Sequence, residues 1–117
     1  MLPLASGVLA CAIALLVPAI AAAQANAPIG NADAGRVKTR MCDGCHGISG
    51  YRTAFPEVYR VPLLGGQHPA YLVRALQAYR SGERSHPSMK AIAASLTDQD
   101  MADLAAYYGS AGKVASK

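Results

Sequence analysis

The chain has 117 residues, 11 Lys+Arg against 7 Asp+Glu, and a formal charge of +4; it is 52% hydrophobic, with three cysteines and no tryptophan. The hydrophobic total is unevenly spread, because 19 of residues 1–23 are hydrophobic and every charged side chain falls after them. That arithmetic fits one export segment followed by one small domain, and excludes a multi-domain enzyme, a polytopic membrane protein and a disordered tail.

Residues 1–23 read as a secretory signal peptide. An apolar centre from Val8 to Val17 meets the helix breaker Pro18, and Ala21-Ala22-Ala23 follows as a small-x-small cleavage pattern. Ala25-Asn26-Ala27 is a poorer cut, since Pro28 would follow it. No Lys or Arg precedes the apolar run, which leaves an uncleaved anchor as the rival, because about 20 apolar residues span a bilayer. A lipoprotein reading through Cys11 is weaker, with Leu9 standing where a smaller or β-branched residue is usual. Cleavage removes Cys11 and leaves Cys42 and Cys45, which could pair, hold a metal or carry a group covalently.

Residues 24–30 form a flexible lead, 31–110 the domain and 111–117 a C-terminal tail. Asn31 or Asp33 caps a first helix running to about Met41, with Gly35 costing roughly 1 kcal/mol against alanine and so marking a close backbone approach. Residues 47–66 are rich in Gly, Pro and Arg and read as a long irregular loop that must wrap something. Pro69 opens a second helix with Leu72, Ala75, Leu76 and Tyr79 on one face, and Gly82 ends it. A short helical stretch lies within Ser88 to Ala94. The last helix is marked by Thr97 and Asp100 as a capping box, an apolar stripe through Met101, Leu104, Ala105 and Tyr108, and Gly109 as its close. No segment alternates as a strand does. The domain is therefore all-α, with three main helices plus a short one.

The stretch Cys42-Asp43-Gly44-Cys45-His46 carries the most chemistry. C-x-x-C-H is the attachment pattern for c-type haem: thiols at i and i+3 share one side of a helical turn, where each can form a thioether to a porphyrin vinyl group. The histidine that follows is then placed to reach iron as proximal ligand. A zinc ribbon would need a second ligand pair, and His68 and His86 lack the spacing for one. A thioredoxin-like pair would need a βαβ pattern, and a plain disulfide leaves His46 unexplained.

Over residues 30–110 the chain resembles the class I monohaem cytochrome c family, in its short, soluble, bacterial periplasmic branch. The resemblance rests on an ordered set: a helix leading into CDGCHG, then Pro62-Leu63-Leu64-Gly65-Gly66-Gln67, PAYLVRALQAYRSGER, HPSMKAIAASL and TDQDMADLAAYY. It implies the cytochrome c fold around one covalent haem c, held through Cys42 and Cys45. It also implies a methionine sixth ligand in the loop before the last helix. Met41 adjoins Cys42 and Met101 sits in the last helix at a staple position, which leaves Met89. By the same resemblance the Pro62 carbonyl accepts a hydrogen bond from His46, and Gly35 meets Tyr107 where first and last helices cross. Tyr71 and Tyr79 either reach the haem edge or fill helical core positions, and His68 and His86 are exposed loop residues.

The function this implies is one-electron transfer in the periplasm by a protein that is not an enzyme, with no substrate and no nucleic-acid partner. Membrane contact arises only if residues 1–23 stay attached. Arg52, Arg60, Arg74, Arg80, Arg84 and Lys90 form either a docking face for acidic redox partners or a solubilising counterweight to the haem propionates. Two alternatives stay open. One is a cytochrome c subunit of a larger dehydrogenase or oxidase; the other is a ligand-binding or peroxidatic haem protein with an open sixth site.

Overall fold

A computed structural model describes residues 27–54 and 57–111. The expected signal peptide with its cleavage site at Ala21-Ala22-Ala23, the first part of the lead up to Asn26, and residues 112–117 of the tail lie outside that range. The described residues form five helices: α1 (Ala32–Lys38), α2 (Arg40–His46), α3 (Pro69–Ser81), α4 (Pro87–Ala94) and α5 (Asp98–Ala111). The fold is all-α, and its only described pairing of extended chain is a single antiparallel bridge, Arg52 with Arg60.

The helix expected to run unbroken to Met41 comes in two pieces. Asn31 caps α1 by accepting from the Ala34 N–H at 3.0 Å. Thr39, only 7% exposed, then interrupts it. Its hydroxyl donates back to the Arg36 carbonyl, and its own carbonyl accepts from the N–H groups of Cys42 and Asp43 at 2.7 and 2.9 Å. A buried threonine hydroxyl competing for backbone acceptors is a physical cause for such a break. The break re-aims the seven residues of α2 that carry both thiols.

Both ends of α3 fall where the sequence puts them, with Pro69 in the first turn and Gly82 left-handed at φ 87°. α5 opens on a full capping box: the Thr97 N–H and hydroxyl both donate to Asp100 Oδ2, and the Asp100 N–H donates back to Thr97 Oγ1 at 3.1 Å. Its end differs from expectation. The helix passes through Gly109 to Ala111, because the glycine serves packing and not termination. A Cβ at Gly109 would strike the Pro69 ring and come within 3.2 Å of the Gln67 carbonyl.

α1 crosses α5 closely. A Cβ on Gly35 would collide with the Asp103 carbonyl and the Tyr107 side chain, so only glycine fits there. Beside it, Asp103 is 3% exposed yet fully engaged. It accepts from the Asn31 N–H at 2.8 Å, Lys38 Nζ at 2.6 Å and Gln99 Nε2 at 2.9 Å. Lys38 also pairs with Asp100 at 2.7 Å. The shared ammonium, with the Thr97 donors, holds the Asp100 carboxyl at about 2, and Lys38 likewise lowers Asp103. The two carboxylates raise Lys38 in return. Met101 on α5 is fully buried, which is the core role its position predicts. An apolar cluster joins Leu72 of α3 to Leu104, Ala105 and Tyr108 of α5, with Cys42 and Leu64 packed on its edge.

Candidate haem site

α2 sets Cys42 and Cys45 one helical turn apart, both as free thiols. Cys42 is half-buried against the α3–α5 cluster and Cys45 is exposed. Burial pushes the Cys42 thiol up, and a contact with the Tyr108 hydroxyl opposes that. Between the cysteines, Asp43 Oδ1 accepts from the Tyr108 hydroxyl at 2.7 Å. Burial and that carboxylate raise the phenol, so Tyr108 remains a protonated donor anchoring α2 to α5.

His46 ends α2, and its Nδ1 lies 2.7 Å from the Pro62 carbonyl. A carbonyl can only accept, so Nδ1 carries the proton and Nε2 keeps a free lone pair. This is the arrangement in which an outer hydrogen bond fixes a metal-binding imidazole and raises its basicity.

Met89 lies in the first turn of α4, half-buried, within the short helical stretch the sequence marks and not in the loop the resemblance implies. Its N–H donates to His86 Nδ1 at 3.3 Å. His86 is the N-cap of α4 and not a free loop residue; it is half-buried, with its ring 4.4 Å from Tyr59 and 6.4 Å from Tyr79. His68 is exposed, as expected. Met41 is 53% exposed beside the thiols. Among the tyrosines, Tyr71 is exposed, while Tyr79 packs on His86 and takes Arg84 over its ring at 4.7 Å.

The described residues of the irregular segment 47–66 are more ordered than its composition implies. The Thr53 N–H donates to the Tyr59 carbonyl and the Val61 N–H to the Tyr51 carbonyl, each at 3.0 Å, making a narrow ribbon that ends at Pro62. Ile48, Val58 and Leu63 stand exposed along this segment. The basic set is partly committed, since Arg80 pairs with Asp98 at 2.6 Å and donates to the Leu96 carbonyl. Sequence reasoning missed the Tyr108–Asp43 and Tyr59–His86 contacts. Neither pair has a local spacing signal.

The donor set suits a covalent haem: two free thiols at i and i+3, and an imidazole with one nitrogen committed and one free. Fold and site together define a c-type haem protein.

Comparison with known proteins sharpens the class. The family model described as Cytochrome c matches residues 32–111, and the chain belongs to that family. Its cofactor is haem c, and Cys42 and Cys45 stand at the C-x-x-C-H spacing within the matched residues. The chain is 42% identical to cytochrome c-554(548) of Halomonas halodenitrificans, over 69% of this chain and 96% of that protein. It is 37% identical to cytochrome c4 of Pseudomonas aeruginosa, over 69% of this chain but 38% of the relative. The crystal structure of reduced recombinant cytochrome c4 from Pseudomonas stutzeri superposes with a TM-score of 0.56 at 34% identity, over 70% of this chain and 46% of that one. The chain thus spans less than half the length of the cytochrome c4 relatives and nearly all of cytochrome c-554(548).

Proposed function

We propose that this chain is an exported one-electron carrier of the periplasm, with His46 and Met89 as the axial ligands of its haem. Residues 1–23 would serve as the signal peptide and 31–110 as the cytochrome domain. The observation that carries the reading is the His46–Pro62 hydrogen bond at the end of a helix bearing two free thiols. That bond leaves one imidazole nitrogen with a fixed direction and no other task. The haem supplies the one-electron couple. The chain's own residues do the rest. Cys42 and Cys45 tether it, His46 donates nitrogen, and Met89 supplies a thioether, which favours ferrous iron and so raises the potential. With His46 and Met89 both holding the iron, no substrate would reach it and no acid–base pair would be needed for electron transfer.

Exposed basic residues not paired with acids among the described residues, such as Arg74 and Lys90, suit docking of acidic redox partners. No described helix is long and apolar enough to cross a membrane. A second reading, the cytochrome subunit of a larger redox assembly, draws on the greater length of the cytochrome c4 relatives. The size of the holoprotein purified from periplasm separates the two. The ligation is tested by absorption spectra of the exported protein in both redox states. The ferric form should show the weak far-red band of a methionine–iron bond, and Met89→Ala should lose it while keeping covalent haem. A high-spin wild-type spectrum with ready carbon monoxide or cyanide binding would overturn the reading in favour of an open sixth site.

A further inference from the structure

We infer that His86, clamped by Tyr59, is a positioning residue for Met89, and that the stretch 59–62 thereby supports both proposed ligands of the iron. The inference rests on the ligand reading above and extends it to residues outside the attachment motif.

The geometry is specific to this chain. His86 is extended at φ −163° and ψ 115°, and its side chain, not its backbone, reaches forward to accept the Met89 N–H. Histidine is not among the residues favoured at an N-cap, where Ser, Thr, Asp and Asn provide an acceptor on a shorter stem. A longer side chain holds such a bond only if the ring is fixed. Here the ring is fixed from two sides, by Tyr59 at 4.4 Å and by the edge of Tyr79 at 6.4 Å. Arg84 over Tyr79 at 4.7 Å extends the stack. The outcome is a methionine whose backbone is tied to an imidazole that is itself clamped between two other segments of the chain.

Tyr59 is equally constrained. Its N–H donates to Thr53 Oγ1 at 3.1 Å, its carbonyl accepts from the Thr53 N–H, and its hydroxyl donates to Glu57 at 3.1 Å. Three residues further along the same ribbon, the Pro62 carbonyl holds His46 Nδ1. One short stretch of chain therefore fixes the imidazole of the proposed proximal ligand directly, and the backbone of the proposed distal ligand through His86. Support of this kind sets how readily a ligand leaves the iron, since an outer hydrogen-bonding partner commonly changes site affinity by about 10-fold or more.

The test measures binding of free imidazole, which competes with the methionine, to the ferric holoprotein, together with the far-red band. His86→Ala and Tyr59→Ala should each raise imidazole affinity about 5- to 10-fold and weaken the band. The double variant should gain no more than the larger single change, because both act through one clamp. His86→Asn, which keeps an N-cap acceptor, should recover part of the loss. Tyr59→Phe, which keeps the ring, should match wild type. The last two variants leave the question answerable if either alanine variant fails to take up haem. Affinities for His86→Ala and Tyr59→Ala within 2-fold of wild type overturn the inference, as do strictly additive effects. Loss of the band in Met89→Ala, run in parallel, keeps the ligand reading standing in that event; retention of the band there overturns the ligand reading itself.

Discussion

The two sides of α5 are built on different principles. Toward α1, the polypeptide completes its own interior: a glycine admits a backbone, Met101 is fully enclosed, and Asp103 finds a donor from Asn31, Lys38 and Gln99. Toward α2 and the segment that follows it, one thiol is open to solvent, and the polar contacts aim at single points, Pro62 to His46 and Tyr108 to Asp43. The first side is held by protein alone. The second is arranged around a group the protein must acquire, so its residues are chosen for chemistry and placement ahead of burial.

The largest expected effect comes from denying that second side its cofactor. Cys42→Ala with Cys45→Ala should abolish covalent haem and with it most of the helicity, because a domain this small has little core to spare. Far-ultraviolet circular dichroism beside a haem stain checks this, and a haem-free variant with native helicity would break the comparison. Gly35→Ala attacks the other side. Its Cβ meets backbone and not a flexible side-chain tip, so a loss of about 3 kcal/mol is expected, read by denaturant titration of the holoprotein with an unchanged haem spectrum.

Asp103→Ala should cost about 2 kcal/mol, through the donors it leaves unpaired at the crossing. The same cluster sets an acid limb. Asp100 sits at about 2 in the folded state against an ordinary 3.8, so its contribution is complete above 3.8 and is lost as pH falls toward 2. Asp103, lowered for the same reason, follows the same sign. Lys38, raised from 10.5, contributes fully below that value and loses its contribution as pH rises through the folded one. Denaturation midpoints across the acid range should fall less steeply in Asp100→Asn than in wild type. The smallest effect belongs to Arg80→Ala, which removes a solvent-exposed pair with Asp98 and should shift stability by no more than about 1 kcal/mol. A larger loss there would mean that the α3–α5 contact depends on this pair more than its exposure implies.

Local chemistry was legible in the sequence and distant pairing was not. Pro69, Gly82 and the Thr97–Asp100 box mark helix ends because their signals lie within one turn, and Cys42 to His46 declares its cofactor because spacing is its content. Gly109 misled for the opposite reason. A glycine at the end of an apolar stripe looks like a stop, and only the Pro69 ring packed beside it shows otherwise. Asp103 lies on the face of α5 opposite the apolar stripe, and its role appears only when Lys38 and Asn31 arrive from α1. His86 looked like a loop residue because the rings that clamp it come from Tyr59 and Tyr79. The break at Thr39 depends on burial, which composition does not encode.

The contacts from Lys38 and Asn31 to Asp103 join residues 65 and 72 positions apart, so the lock between α1 and α5 ties one end of the domain to the other. A chain made from its N-terminus has nothing to close that lock until Asp103 has been delivered. Until then α2 is a seven-residue segment, too short to persist as a helix alone, and its thiols stand on open chain. The order of assembly is thus written into the distance between partners: the attachment segment is presented early, and the clasp that finishes the domain comes last.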